Sequence, residues 1–180
     1  MERKTIWNEA LRTGLVLGGI SIAYTVINIL LSKIQGGTAV SVLVNVSGVL
    51  LWVFKLVLCI KLFKVFMLKF SAAHEDLTNS ESFRYGVAMA FLSALLYSAF
   101  YLAWITLIQP DMIKDSMELA SEAYANIFTA EQLESMEELT PKLPALTFFG
   151  NLLYCTLFGT VLSAIFSRNI PSRNPFSDNQ

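Results

Sequence analysis

Histidine is nearly missing from this sequence, with one in 180 residues, and there are only two cysteines and five prolines. Each shortage closes off a class of chemistry. The lone His74 stands beside Glu75 and Asp76, and the segment lacks the second histidine that a zinc pair on one helix face requires. Cys59 and Cys155 both lie in apolar helical sequence, so they read as packing residues and imply neither a disulfide nor a metal cluster. No glycine-rich phosphate loop and no Gly-x-Ser-x-Gly elbow is present. No catalytic constellation can be assembled, and the chain reads as a non-enzymatic protein without a cofactor.

Charge is also scarce, at 15% of residues, and its distribution is informative. Residues 13–31, 38–54, 85–108 and 143–166 contain no Asp, Glu, Lys, Arg or His. At about 1.5 Å rise per residue, such runs cross or nearly cross a hydrocarbon core of roughly 30 Å. The second lengthens by continuing past Lys55 to Ile60. The expected fold is therefore all-α: a polytopic membrane protein with one domain over residues 1–170. Its four spans are expected at about 12–31, 38–60, 84–108 and 143–167, with residues 171–180 as a disordered cytoplasmic tail. Near-zero net charge gives no reason to expect nucleic acid as a partner. The first span is too long for a signal core and no Ala-x-Ala-like cleavage site follows it, so it reads as a retained helix.

Positive charge orients these spans. Arg3, Lys4, Arg12, Lys55, Lys61, Lys64, Lys69, Arg84, Arg168 and Arg173 fall on one side, and only Lys33, Lys114 and Lys142 on the other. The positive-inside rule places both termini in the cytoplasm. Lys55, Lys61, Lys64 and Lys69 are interleaved with apolar residues, so their stems can lie along hydrocarbon while the ammonium groups meet anionic headgroups, each contributing ~1 kcal/mol. Lys55 lies toward the cytoplasmic end of the expected span and is expected to snorkel there. Membrane lipid is thus the expected partner at that face; a specific lipid or a regulatory protein is the alternative. Thr78 and Glu81 match a capping box opening the third helix.

Residues 109–142 lie on the opposite side and hold eight carboxylates against two lysines, a net of minus six. Apolar residues from Met112 to Phe128 recur at helical spacing and predict an amphipathic helix. Thr129 and Gln132 match a second capping box, predicting a short helix over about 130–139, which Pro141 and Pro144 end. This extracytoplasmic helical hairpin reads as a solvated cap, or alternatively as a docking surface for a basic partner or a weak cation site. Its spacing does not match a calcium loop.

Small and polar residues within the spans form stripes. The first carries Gly14, Gly18, Ser21, Thr25 and Asn28; the second Ser41, Asn45, Gly48, Trp52 and Lys55. The third carries Gly86, Ala90, Ser93, Tyr97, Tyr101 and Trp104; the fourth Thr147, Asn151, Cys155, Gly159 and Ser163. Such stripes favour helix packing: small residues let backbones approach, and amides and hydroxyls bond across helices. Gly14, Gly18, Ser21, Asn28, Asn45, Asn151, Gly159 and Ser163 are the packing candidates. A route for a solute is the rival reading, although no Asp, Glu or His occupies the middle of a span and no proline interrupts one beyond Pro144 at the fourth entry. The segment Leu11–Gly14 continuing to Gly18 and Ser21 also aligns with Phe83–Gly86 continuing to Ala90 and Ser93, a short match that permits duplication of a helical hairpin.

Several local motifs occur in a fixed order: Ala10-Leu11-Arg12 before the Gly-rich first helix, Ser82-Phe83-Arg84-Tyr85-Gly86, Gln109-Pro110-Asp111, and Thr129-Ala130-Glu131-Gln132-Leu133-Glu134. Thr140-Pro141 follows, and then Gly159 to Ser163 with Ala164-Ile165. In this order the chain resembles a bacterial family of small four-helix membrane proteins, domain of unknown function family forty-one ninety-nine. The segment from His74 to Asn79 departs from it, since such proteins often carry glycine there. The resemblance implies the same architecture and a bacterial inner membrane, and it implies no activity. The leading expectation is an interaction protein or small subunit, self-associating or docking a membrane-protein partner through helix packing and the acidic hairpin. A small oligomeric transporter or channel with Asn28, Asn45 and Asn151 around a path is the rival, and a lipid-modifying enzyme comes third.

Overall fold

The computed structural model describes residues 3–34, 36–74, 77–124, 129, 131, 135 and 138–169. Among these residues all regular structure is helical: α1 Arg3–Ser32, α2 Thr38–Ala73, α3 Asn79–Ala103, α4 Asp111–Tyr124 and α5 Leu143–Asn169. Four of them, all but α4, belong to segments long and apolar enough to cross a membrane. α2 has 36 residues and so extends about 54 Å, well beyond a hydrocarbon core of roughly 30 Å.

α3 is the central helix. It packs along α1 on one side and α5 on the other, while α2 leans on α1 and touches α3 and α5 only lightly. Glycines decide these close approaches. A Cβ added at Gly14 would stand 3.0 Å from the Met89 carbonyl oxygen, and one at Gly18 would stand 3.1 Å from that of Ser93, so α1 runs parallel to α3 with backbones nearly touching. Gly86 and Ala90 of α3 face Ser163 and Gly159 of α5 in the antiparallel sense. Small residues four apart on each partner allow this seam, as in other membrane helix pairs.

The buried core lies at the end holding the start of α1, the last turns of α2 and the start of α3. Ile6, Ala10, Phe63, Met67, Phe70, Leu77, Tyr85 and Met89 fill it. The rings of Phe70 and Tyr85 stack at 3.8 Å, and the Tyr85 hydroxyl lies 3.0 Å from that of Thr13. His74 closes this end, with Nδ1 2.9 Å from the Phe70 carbonyl oxygen. Toward the other end α2 stays beside α1 and parts from α3 and α5: no residue of its most apolar 18-residue stretch is buried, and Val42, Leu43, Leu50 and Phe54 are all exposed. The four helices therefore form a fork, closed at one end and open at the other.

The local signals for helix ends act as their chemistry requires. Glu81 N–H donates to Thr78 Oγ1 at 3.2 Å, and Thr78 N–H donates to Glu81 Oε2 at 3.1 Å, completing the capping box of α3. At its far end α3 widens into a π turn, Trp104–Ile108, where the Gln109 N–H reaches back 2.9 Å to the Trp104 carbonyl. The regular helix expected as far as residue 108 thus changes pitch first. Pro110 disfavours helical geometry at Gln109, and Trp104 Nε1 holds that residue by a 3.1 Å bond to Gln109 Oε1.

α4 is amphipathic. Met112, Ile113, Met117 and Ala120 form its half-buried side, and Asp111, Lys114, Asp115, Glu118 and Glu122 are exposed. It touches the π turn and the 3₁₀ turn Thr140–Lys142 that leads into α5. Most of the expected helix at 130–139, including Gln132 of its capping box, lies outside the described residues, as does the 171–180 tail. Of that helix Glu131, Ser135, Glu138 and Leu139 are described, and all four are helical.

Candidate functional site

Where the fork opens, the helices enclose a chamber of about 160 Å³. Each helix brings one stripe to it. α1 supplies Leu17 and Ser21, α2 supplies Trp52, Lys55, Leu56, Cys59 and Phe63, and α3 supplies Ala90, Ser93, Ala94 and Tyr97. α5 completes the wall with Tyr154, Cys155, Phe158, Gly159 and Leu162. The mouth lies between α2 and α5, where the two helices meet least: Trp52 is 52% exposed and Tyr154 68%.

Lys55 is the only charged side chain in this lining. Its Nζ lies 5.1 Å from the centroid of the Tyr24 ring and 5.3 Å from that of Tyr97, within the range of cation–π attraction. Among the described residues it has no carboxylate partner and makes no hydrogen bond. The Tyr97 hydroxyl lies near that of Thr25, which donates to the Ser21 carbonyl at 3.0 Å, and Cys59 lies near Ser21. The chamber is thus an apolar space with one unpaired cation, two thiols and several hydroxyl groups, open at its side.

Above the chamber α1 and α2 flank a second cleft of about 400 Å³. Tyr24, Asn28 and Ser32 line it from α1, and Asn45, Gly48 and Trp52 line it from α2. Trp52 borders both spaces.

Residues 12–168 match the family described as protein of unknown function (DUF4199). The chain belongs to the DUF4199 family. The match takes in every residue of the chamber lining, from Leu17 to Leu162. No curated protein matches this DUF4199 chain, and no solved structure matches it.

The residues singled out in the sequence occupy three places. Gly14, Gly18, Gly159 and Ser163 lie in the two tight seams on α3, and Ser163 Oγ donates a 2.8 Å hydrogen bond to the Phe83 carbonyl. Ser21 lines the chamber, as do Cys155 and Gly159. Asn28 and Asn45 share the outer cleft without bonding across it, and Asn151 stands apart on α5. Among the described residues none of the three asparagines makes the expected interhelical hydrogen bond; Asn28 Oδ1 instead lies against Gly48 of α2, where an added Cβ would stand 3.4 Å from it. Hydroxyl groups at the closed end, Ser163 and Thr13, make such bonds instead.

The lysines separate as well. Lys61, Lys64 and Lys69 are exposed on the long end of α2, whereas Lys55 is half-buried and turned into the chamber. α2 continues to Ala73, and Lys55 lines the chamber beside Cys155, which lies in the middle of α5. The Tyr24 ring was not anticipated as part of a site. Lys55 and Tyr97 each stood on a stripe, but nothing in the linear spacing shows that the two stripes meet.

Proposed function

We propose that this chain is a non-enzymatic integral membrane protein that works by interaction inside the bilayer, taking its partner molecule from the lipid through the mouth between α2 and α5. The observation behind this reading is Lys55, a cation without a counter-charge among the described residues, midway along α2. Placing lysine at such depth costs about 2.5–3.5 kcal/mol on insertion scales, and intramembrane ionisable residues mark functional sites by default. Helix packing alone has no use for it, since the seams on α3 are built from Gly, Ala and Ser.

The membrane is proposed to be a bacterial inner membrane, with both termini in the cytoplasm and α4 outside. The lysine and arginine asymmetry supports that orientation. Exposed Lys64 and Lys69 then stand at the level of anionic headgroups, and exposed Lys61 reaches toward them along its stem. The carboxylates of α4 face water and serve as a solvated cap.

A second reading, a small transporter or channel, draws on the outer cleft. Asn28 and Asn45 line it, and Trp52 separates it from the chamber, so a path from the outer surface to Lys55 would pass this residue. Asn151 lies outside that path.

Photocrosslinking in native membranes tests the binding reading. A benzophenone amino acid in place of Tyr154, at the mouth, is expected to give a discrete adduct. The same group in place of exposed Val161, elsewhere on α5, is expected to give only bulk lipid. Identical lipid patterns at both positions would overturn the proposal.

A further inference from the structure

We infer that the chamber binds a long-chain carboxylate, its head paired with Lys55 and its hydrocarbon chain leaving through the mouth between α2 and α5. This rests on the binding reading above and gives it a ligand class.

Charge is the first argument. The ammonium of Lys55 has aromatic faces on two sides and no anion among the described residues, while the chamber lining holds no Asp, Glu or His. Tyrosine rings attract a cation but accept none of its proton-donating capacity as a carboxylate does, so three ammonium donors remain for an incoming anion. A charge-assisted bond formed in a low-dielectric space is stronger than the same bond in water.

Size is the second. A space of about 160 Å³ compares with an engineered apolar cavity of about 150 Å³ that holds benzene. It therefore accepts a carboxylate with its first few methylenes, and it excludes a glycerol backbone carrying two acyl chains. The remainder of a long chain must lie outside, and the mouth provides for that. Trp52, Tyr154 and Phe158 present aromatic surface at a side opening, where a chain lies among lipid tails. An inorganic anion gains nothing from this apolar exit. A neutral alcohol of the same length fits the shape and lacks the charge.

The protein carries its own reporter, because its two cysteines, Cys59 and Cys155, both line the chamber. The full chain in nanodiscs of neutral phosphatidylcholine is titrated with hexadecanoate, hexadecanol and hexadecyl phosphate. Binding is followed by native mass spectrometry and by protection of the two thiols from N-ethylmaleimide. Hexadecanoate is expected to bind at least about tenfold more tightly than hexadecanol and to protect both thiols. Lys55→Met is expected to abolish the preference for the acid, and Lys55→Arg to retain it. The comparison of acid with alcohol on the unsubstituted chain stands whether or not either variant folds. Equal binding of acid and alcohol would overturn the inference and leave the binding reading standing. A tenfold preference for hexadecyl phosphate would overturn the carboxylate assignment. If none of the three binds while the Tyr154 photoadduct persists, only the inference falls; if the adduct is missing too, both fall.

Discussion

The Ser163 hydroxyl of α5 donates its hydrogen bond to the Phe83 carbonyl at the point where α5 lies against Gly86. A Cβ at Gly86 would meet the Ser163 side chain and stand 3.3 Å from Met67 Sδ, so side chains of α5 and α2 both close on this glycine. Packing and hydrogen bonding are therefore one feature at this crossing.

Substitutions here separate the two contributions. Gly86→Ala is expected to destabilise the protein by about 1–3 kcal/mol through overpacking. Ser163→Ala is expected to cost only about 0.6 kcal/mol, and at most roughly 1.7, the range for hydrogen bonds between membrane helices. The double variant Gly86→Ala with Ser163→Gly transfers the small residue to the other helix and is expected to recover part of the loss. Unfolding midpoints in detergent micelles check all three, and equal costs for the two single variants would contradict the account.

Thr78 gives a second, local test. Its hydroxyl accepts from the Glu81 N–H at 3.2 Å at the entry to α3, the helix against which α1 and α5 pack. Thr78→Ala is expected to cost about 1 kcal/mol and Thr78→Ser little, because serine keeps the capping oxygen. Thermal unfolding followed by helical circular dichroism distinguishes the two.

Much of this arrangement was legible in the chain because lipid imposes strong rules. Charge-free runs at 13–31, 38–54, 85–108 and 143–166 mark membrane-crossing helices, since backbone polar groups in hydrocarbon must be satisfied internally. The seam of Gly86 and Ala90 with Gly159 and Ser163 follows from small residues four apart. What stayed hidden was the departure of α2 from α3 and α5. Val42, Leu43, Val49 and Leu50 have the same composition whether they face lipid or protein, because lipid tails are as apolar as leucine. Without that departure there is no fork, and Lys55 reads as one more interfacial lysine instead of the cation between Tyr24 and Tyr97. The π turn was hidden for a related reason: its pitch depends on how Trp104 and Gln109 meet in space.

The proposed orientation predicts which surfaces water-soluble reagents reach. In a background with Cys59→Ala and Cys155→Ala, cysteine placed at exposed Glu118 of α4 is expected to react with a membrane-impermeant maleimide on intact cells. Cysteine at exposed Lys64 of α2 is expected to react only after the membrane is opened. The reverse pattern would invert the topology.

Lys55 should make the empty protein less stable than it need be. Its two ring contacts, at 5.1 and 5.3 Å, offset about 0.5–1 kcal/mol each for a half-buried group. The insertion cost of lysine at helix centre is about 2.5–3.5 kcal/mol, so a deficit of roughly 0.5–2.5 kcal/mol remains. Lys55→Met, which keeps the length and flexibility of the side chain and removes the charge, is therefore expected to raise the unfolding free energy by about that amount in ligand-free nanodiscs. Tyr97→Leu is expected to destabilise the unsubstituted protein but to cost about 0.5–1 kcal/mol less when Lys55→Met is already present, because the cation–π contact is then gone. Denaturation of the four proteins in a double-mutant cycle measures both quantities. A Lys55→Met variant less stable than its parent would show that the lysine holds the fold together, and a zero coupling would show that the Tyr97 ring does not interact energetically with it.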